Sequence, residues 1–435
     1  MSAFDALATL ITLAAVFSWV NHRWVRLPTT IGLMLISMLA SLALVGLGEA
    51  GLPGRGDLPQ LLASVEFDRA LLDGMLGALL FAGALHVNVN DLAARKLVIG
   101  LLATAGVCLS TLIVAFVSRA VFGLVGFDIP LVDALLFGAL ISPTDPIAVS
   151  AILRRAGVPP SLETKITGES LFNDGVGVVV FLLILGIAGG GHAVEPAAVA
   201  RLFAVEVLGG LAFGGLVGWI AFRMLKSVDQ YAVEILITLA IVTGGYALAH
   251  HLHTSGPLAM VVAGLFIGNR GRALAMSAAT RERLDSFWEL ADEFLNAVLF
   301  VMIGIEVVVL EFAGPVLAAG LLAIPIVLAA RWASVGLPVT CLRPWRGFSP
   351  HAVKILTWSG LRGGISVALA LSLPAGPSRS LIITVTYVVV AFSIVVQGLT
   401  VGPVARRLAG GIAWTPPARP AYAHGPESPP EEESG

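Results

Sequence analysis

Ile141-Ser142-Pro143-Thr144-Asp145-Pro146 and Glu169-Ser170-Leu171-Phe172-Asn173-Asp174 decide how this chain is read. Each lies inside a long apolar segment. The first holds an acid between two prolines; the second holds two carboxylates, a hydroxyl and an amide. Ionisable groups at membrane depth are costly and mark ion or proton paths. The two stretches are therefore expected to build one site where a small cation and a proton compete for a carboxylate.

The rest of the chain supplies the frame. It has 435 residues, 57% hydrophobic and 12% charged, against roughly 25% charged in a soluble domain. That predicts an all-α polytopic membrane protein. The net charge of −2 says little, and nucleic acid is not an expected partner. The apolar run from Phe4 to Val20 has no basic region before it and is expected to stay as a membrane helix. Cys108 and Cys341 sit in or beside apolar segments, where small buried hydrophobes are expected rather than a disulfide or a metal pair. No His or Cys spacing suggests a metal centre or cofactor.

With about 20 residues per span, about 13 candidate helices fit: 4–21, 28–48, 69–88, 97–122, 131–153, 164–189, 198–223, 230–251, 255–269, 287–310, 315–340, 350–374 and 380–404. Lys and Arg in the connections favour one side by 17 to 5. The positive-inside rule then puts the N-terminus outside and the C-terminus in the cytoplasm of a cell (inner) membrane. From Thr415 to Gly435 the chain holds six prolines and an acidic run, the composition of a disordered cytoplasmic tail at 415–435.

An odd helix count allows helices 1–6 and 8–13 to form two inverted repeats, as in many secondary transporters. The fifth segment, with its Pro143/Pro146 break, then pairs with the twelfth. That segment carries an equivalent break, Ser359-Gly360-Leu361-Arg362-Gly363-Gly364. Discontinuous helices 5 and 12 at matching positions point to a shared function.

Pro143 and Pro146 remove backbone donors, so the helical ladder cannot run through Thr144 and Asp145. Asp145 before Pro146 reads as an N-cap for a second half-helix over Ile147 to Leu153. The carbonyls ending the first half, Leu140 to Ser142, suit a cation. In the sixth segment Glu169/Asn173 and Ser170/Asp174 are i, i+4 pairs on one face, a donor set fit for Na+ or Li+. Gly175 and Gly177 beside it would let another backbone approach. Arg362 stays charged and needs a carboxylate or carbonyl ends; Glu169 is the expected partner, leaving Asp174 as the exchangeable group. Lys354 is expected to snorkel to the interface.

These motifs resemble the signatures of NhaP/NHE-type cation:proton antiporters over essentially all thirteen segments. The resemblance implies Na+ (or Li+)/H+ exchange by alternating access, with no cofactor beyond the transported ions. It implies a homodimer with a transmembrane domain over 1–408. A core bundle, about 97–189 and 315–404, would move against a dimerisation bundle, about 4–88 and 198–310. It assigns ion and proton binding to Asp174, with Thr144 and Ser170 as further Na+ ligands. Asp145, Glu169, Asn173 and Arg362 would support them as a polar cluster. The Asn173-Asp174 pair is similar to the electroneutral branch. Many relatives carry a helix 3 Glu where this chain has Ala82, and His86 one turn on is a candidate substitute. K+/H+ exchange is the alternative on the same scaffold. A cation channel and an intramembrane hydrolase are remoter alternatives; no Gly-x-Ser-x-Gly or His-Glu-x-x-His motif is present.

Other features carry weaker expectations. Gly210, Gly214 and Gly218 have small-residue packing spacing. His250, His251 and His253 read as an ordinary outer loop. Glu289, Asp292 and Glu293 are candidates to line an inner funnel that gathers cations. Asp73, Glu206, Glu234 and Glu306 are membrane acids without assigned partners.

Overall fold

The computed structural model describes residues 3–49, 70–145, 149, 153, 160–190, 196–310, 313–343, 348 and 351–409. Each of the thirteen apolar segments contains helix, and there is no strand among the described residues. The helices are α1 (Ala3–Val20), α2 (Thr29–Glu49), α3 (Leu76–Leu85), α4 (Val107–Leu124), α5 (Leu131–Ile141), α6 (Pro160–Gly190) and α7 (Pro196–Leu225). They continue as α8 (Tyr231–Ala240), α9 (Gly256–Phe266), α10 (Ala278–Ile305) and α11 (Gly314–Leu342). The twelfth segment is two pieces, α12a (Ala352–Trp358) and α12b (Gly364–Leu371), and α13 is Arg379–Phe392. Among the described residues, eight helices are long and apolar enough to cross a membrane.

Local sequence sets many of the ends. Ser277 Oγ accepts from the Thr280 amide at the start of α10, and Ser255 Oγ from the Leu258 amide at α9, each satisfying a donor with no helical partner. The α10 cap lies at Ser277, so this helix begins well before the expected 287 and its charged first turns are extra-membranous in character. Several helices carry one-turn π segments. The one at Ser393–Gln397 prolongs α13 toward Gly398–Ala409 and bears on the site below.

Two packed groups emerge. In one, α4, α5, α6, α11, α12b and α13 pack on one another; in the other, α2 packs on α10 and α9 on α3 and α7. Lipid is as apolar as leucine, so helices in a membrane associate through close van der Waals fit and polar contacts rather than by expulsion from water. The α7–α9 pair shows this: a Cβ on Gly210 would collide with the Ser255 backbone, and one on Gly214 with that of Ala259. The packing expectation for these glycines is met. Cys108 and Cys341 are free and exposed on the outside of the bundle, contrary to expectation. Helices four and eleven turn those positions to the outside of the bundle, away from the core. Asp73, the predicted half-helix over 147–153 (apart from Val149 and Leu153, both buried) and the 415–435 tail lie outside what the structure describes for side chains or backbone.

Candidate functional site

The two broken segments meet. α5 stops at Ile141, and the chain runs extended through Pro143 and Thr144 to Asp145. The Asp145 amide donates to the Leu361 carbonyl at 2.8 Å in an antiparallel bridge. Antiparallel pairing of the two interruptions is the geometry an inverted repeat requires, and the α12 break supplies the acceptor that the Asp145 amide lacks in its own segment. A Cβ on Gly363 would collide with the Asp145 side chain, and one on Gly177 of α6 with the Pro143 ring. Glycine at both places lets the crossing close.

Asn173 binds the α5 break to α6. Its Nδ2 donates to Thr144 Oγ1 at 2.8 Å and to Glu169 Oε1 at 2.7 Å, while its Oδ1 accepts from the Thr144 amide at 3.2 Å. Both N–H donors of the amide and one lone pair of its oxygen are used, so Asn173 acts as a clamp between the α5 break and α6. Thr144 Oγ1 and Ser170 Oγ lie 3.0 Å apart. Gly175 approaches the Leu258 side chain rather than the α5 break.

Glu169 is not paired with Arg362. Arg331, midway along α11, meets it with both Nη atoms at 2.6 Å, a bidentate fork on a fully buried carboxylate. Arg331 was absent from the sequence expectations because it lies in neither set of connecting loops. The available signal was an intramembrane arginine, which must have a partner. Bidentate charge-assisted pairs are the strong ones, and α11 is the helix that can present a planar guanidinium to that face of α6.

Arg362 instead takes the other option open to it, carbonyl ends. Its Nη1 donates to the Ser142 carbonyl and, at 2.8 Å, to the Pro143 carbonyl. The carbonyl end of α5, expected to suit a cation, is thus neutralised by a guanidinium. The Arg362 amide donates to Ser393 Oγ at 2.8 Å, and Ser393 in turn donates to Gln397 Oε1. Gln397 Nε2 reaches the Trp358 carbonyl at the end of α12a at 3.2 Å. The π turn of α13 therefore satisfies both sides of the α12 break, a role for Ser393 and Gln397 that their apolar sequence surroundings concealed.

Asp174 remains. It is 3% exposed and makes no side-chain hydrogen bond among the described residues. It lines a cavity of about 50 Å3 together with Asp145, Pro143, Gly363 and Ser366, more than the roughly 10–15 Å3 one water needs. The charges of Asp145, Glu169 and Arg362 all reach it. His86 is exposed, with Nδ1 3.0 Å from the Ala82 carbonyl of its own helix, and Ala82 is buried outside the cavity lining. Lys354 is exposed, as a snorkelling side chain would be. Asp292 and Glu293 line a separate wide cavity while Glu289 is exposed.

Two crossed, interrupted helices around a buried carboxylate define a secondary transporter of small cations, a multi-pass membrane protein. The chain belongs to the family described as sodium/hydrogen exchanger, transmembrane, which it matches over residues 10–407. It is 49% identical over 412 residues to the Na(+)/H(+) antiporter NhaP of Pseudomonas aeruginosa, covering 94% of this chain and 97% of that one. With the Na(+)/H(+) antiporter NhaH of Halobacillus dabanensis it shares 33% identity over 394 residues, 88% of this chain and 92% of that one. Its fold is similar to the sodium proton antiporter MjNhaP1 of Methanocaldococcus jannaschii, with a TM-score of 0.72 at 20% identity, covering 94% and 99% of the two chains.

Proposed function

We propose that this chain exchanges Na+ (or Li+) for H+ across a cell membrane, with both ions competing for Asp174. The observation that carries the reading is the contrast in that buried cluster: Glu169 and Asn173 are engaged by protein partners, and Asp174 faces a cavity. Ser170 and Thr144 hydroxyls beside it complete an oxygen donor set for a hard monovalent cation. Asp145, Glu169, Asn173 and Arg362 hold that set in place.

Charge counting supports a one-for-one exchange. Three carboxylates, Asp145, Glu169 and Asp174, stand against two guanidiniums, Arg331 and Arg362. The cluster so defined is short of one positive charge, which either one Na+ or one proton supplies. Both loaded forms are then neutral, and burial of a neutral cluster avoids the cost of an uncompensated charge. Alternating access would come from the 97–189 and 315–404 bundle moving against the 4–88 and 198–310 bundle, within a homodimer. The Arg-rich ends of the helices face the cytoplasm, with the N-terminus outside. The transported ions are the only small-molecule requirement, and the activity is transport rather than catalysis.

In proteoliposomes, Asp174→Asn should abolish Na+-driven pH change while the protein still elutes as a dimer. Retained exchange would overturn the assignment. An imposed membrane potential should leave the rate of the parent protein unchanged; a clear voltage dependence would refute the neutral one-for-one cycle. Lowering pH at fixed Na+ should raise the apparent KM for Na+, because protons occupy the same carboxylate. Replacing Na+ with Li+ or K+ in the same assay reads the ion preference.

A further inference from the structure

Asp292, Asn296 and Leu299 recur at i, i+4 and i+7 on α10, so they lie along one face of that helix. Asp292 and Asn296 line the wide cavity, about 1120 Å3, whose other wall includes His22, Arg26 and Thr30. Leu299 lines the small cavity that holds Asp174. One helix face thus connects an opening at the Arg-rich end of the bundle with the exchanging carboxylate.

Two oxygens on this face have no partner among the described residues. Asn296 is 4% exposed, yet its Oδ1 is unbonded, as is the buried Oδ1 of Asp292. The Asn296 Nδ2 donates to the Asp292 carbonyl at 2.8 Å, which orients the amide and leaves its oxygen as the free end. A buried oxygen without a donor is costly, and a visiting cation would offset that cost. The charged and titratable groups facing the cavity are Asp292 and Glu293 from α10 and His22 and Arg26 from the turn after α1. His22 and Arg26 are exposed and stand at the rim; Asn21 beside them is occupied by both polar backbone groups of Leu27. The charge of Asp145 reaches Asp292, and Asp145 shares the small cavity with Asp174.

We propose that Asp292 and Asn296 form an entry station for the transported monovalent cation. The Asp292 carboxylate and the Asn296 amide oxygen accept the ion as it loses part of its water shell, and the ion then passes Leu299 to reach Asp174. This rests on Asp174 as the exchanging group. The station belongs to one side of the membrane only, which separates it from a structural role.

The test uses the full-length chain in proteoliposomes of defined sidedness, with Na+ presented from each side in turn. Asp292→Asn and Asn296→Leu should raise the apparent KM for Na+ roughly five- to tenfold from the wide-cavity side and by less than about twofold from the other. Asn296→Asp, which keeps an oxygen in place, should return the KM to within about twofold of the parent. An unchanged KM on both sides, an equal rise on both, or a fall in maximal rate alone would overturn the proposal. If Asn296→Leu does not elute as a folded protein, Asp292→Asn and Asn296→Asp decide it. Asp174→Asn acts on both sides alike, so failure of the Asp174 reading shows separately.

Discussion

Glu169 and Asp174 sit on the same polar face of α6, five residues apart in sequence, in opposite surroundings. The Glu169 end is closed: two fully buried oxygens meet a guanidinium fork and an amide. The Asp174 end is open: a buried carboxylate borders a cavity with no hydrogen bond among the described residues. The difference teaches that a membrane transporter needs both ends. On the proposed reading the closed one anchors the broken backbone, and the open one supplies the capacity to exchange. Identical chemistry does either job according to what the neighbouring helices bring.

The contrast can be broken from either end. Asp174→Asn should have the largest functional effect, complete loss of exchange with little change in melting temperature, because Asp174 makes no side-chain hydrogen bond among the described residues. Arg331→Ala should do the reverse at the outset. It strands Glu169 as an unpaired buried charge, a loss of about 3–5 kcal/mol, visible as a large fall in melting temperature of the purified protein. If Arg331→Ala were neutral in stability, the Glu169 end would not be an anchor. Gly177→Ala pushes a methyl group into the Pro143 ring and should cost about 1–3 kcal/mol, with slower exchange because the α5 break can no longer sit against α6. Ser393→Ala is the smallest: it leaves the Arg362 amide without an acceptor, worth about 1–2 kcal/mol, and should lower the melting temperature without changing ion preference.

Most of the architecture was legible in the chain, for a physical reason. A bilayer forces every buried backbone group to be satisfied within its own segment, so apolar length alone locates helices. Proline and glycine then mark where that rule is relaxed. Pro143 and the run Gly360 to Gly364 marked both breaks, and the i, i+4 spacing of Glu169, Ser170, Asn173 and Asp174 put them on one face. The start of α10 and the exposure of Cys108 and Cys341 differ from expectation because apolar windows do not see caps or the rotation of a helix about its axis.

What the sequence alone determined, then, is the set of helices, the two interruptions and the polar face of α6, all of which follow from local spacing and donor counting. The pairing of side chains came from packing. Glu169 could have met Arg362 or Arg331, and Arg362 could have met a carboxylate or the end of α5. Side chains far apart in sequence choose partners by reach and angle, and those come from helix packing. The crossing of the breaks brings Arg362 to the α5 carbonyls, α11 brings Arg331 to Glu169, and Asp174 is left facing the cavity because no described helix brings it a donor.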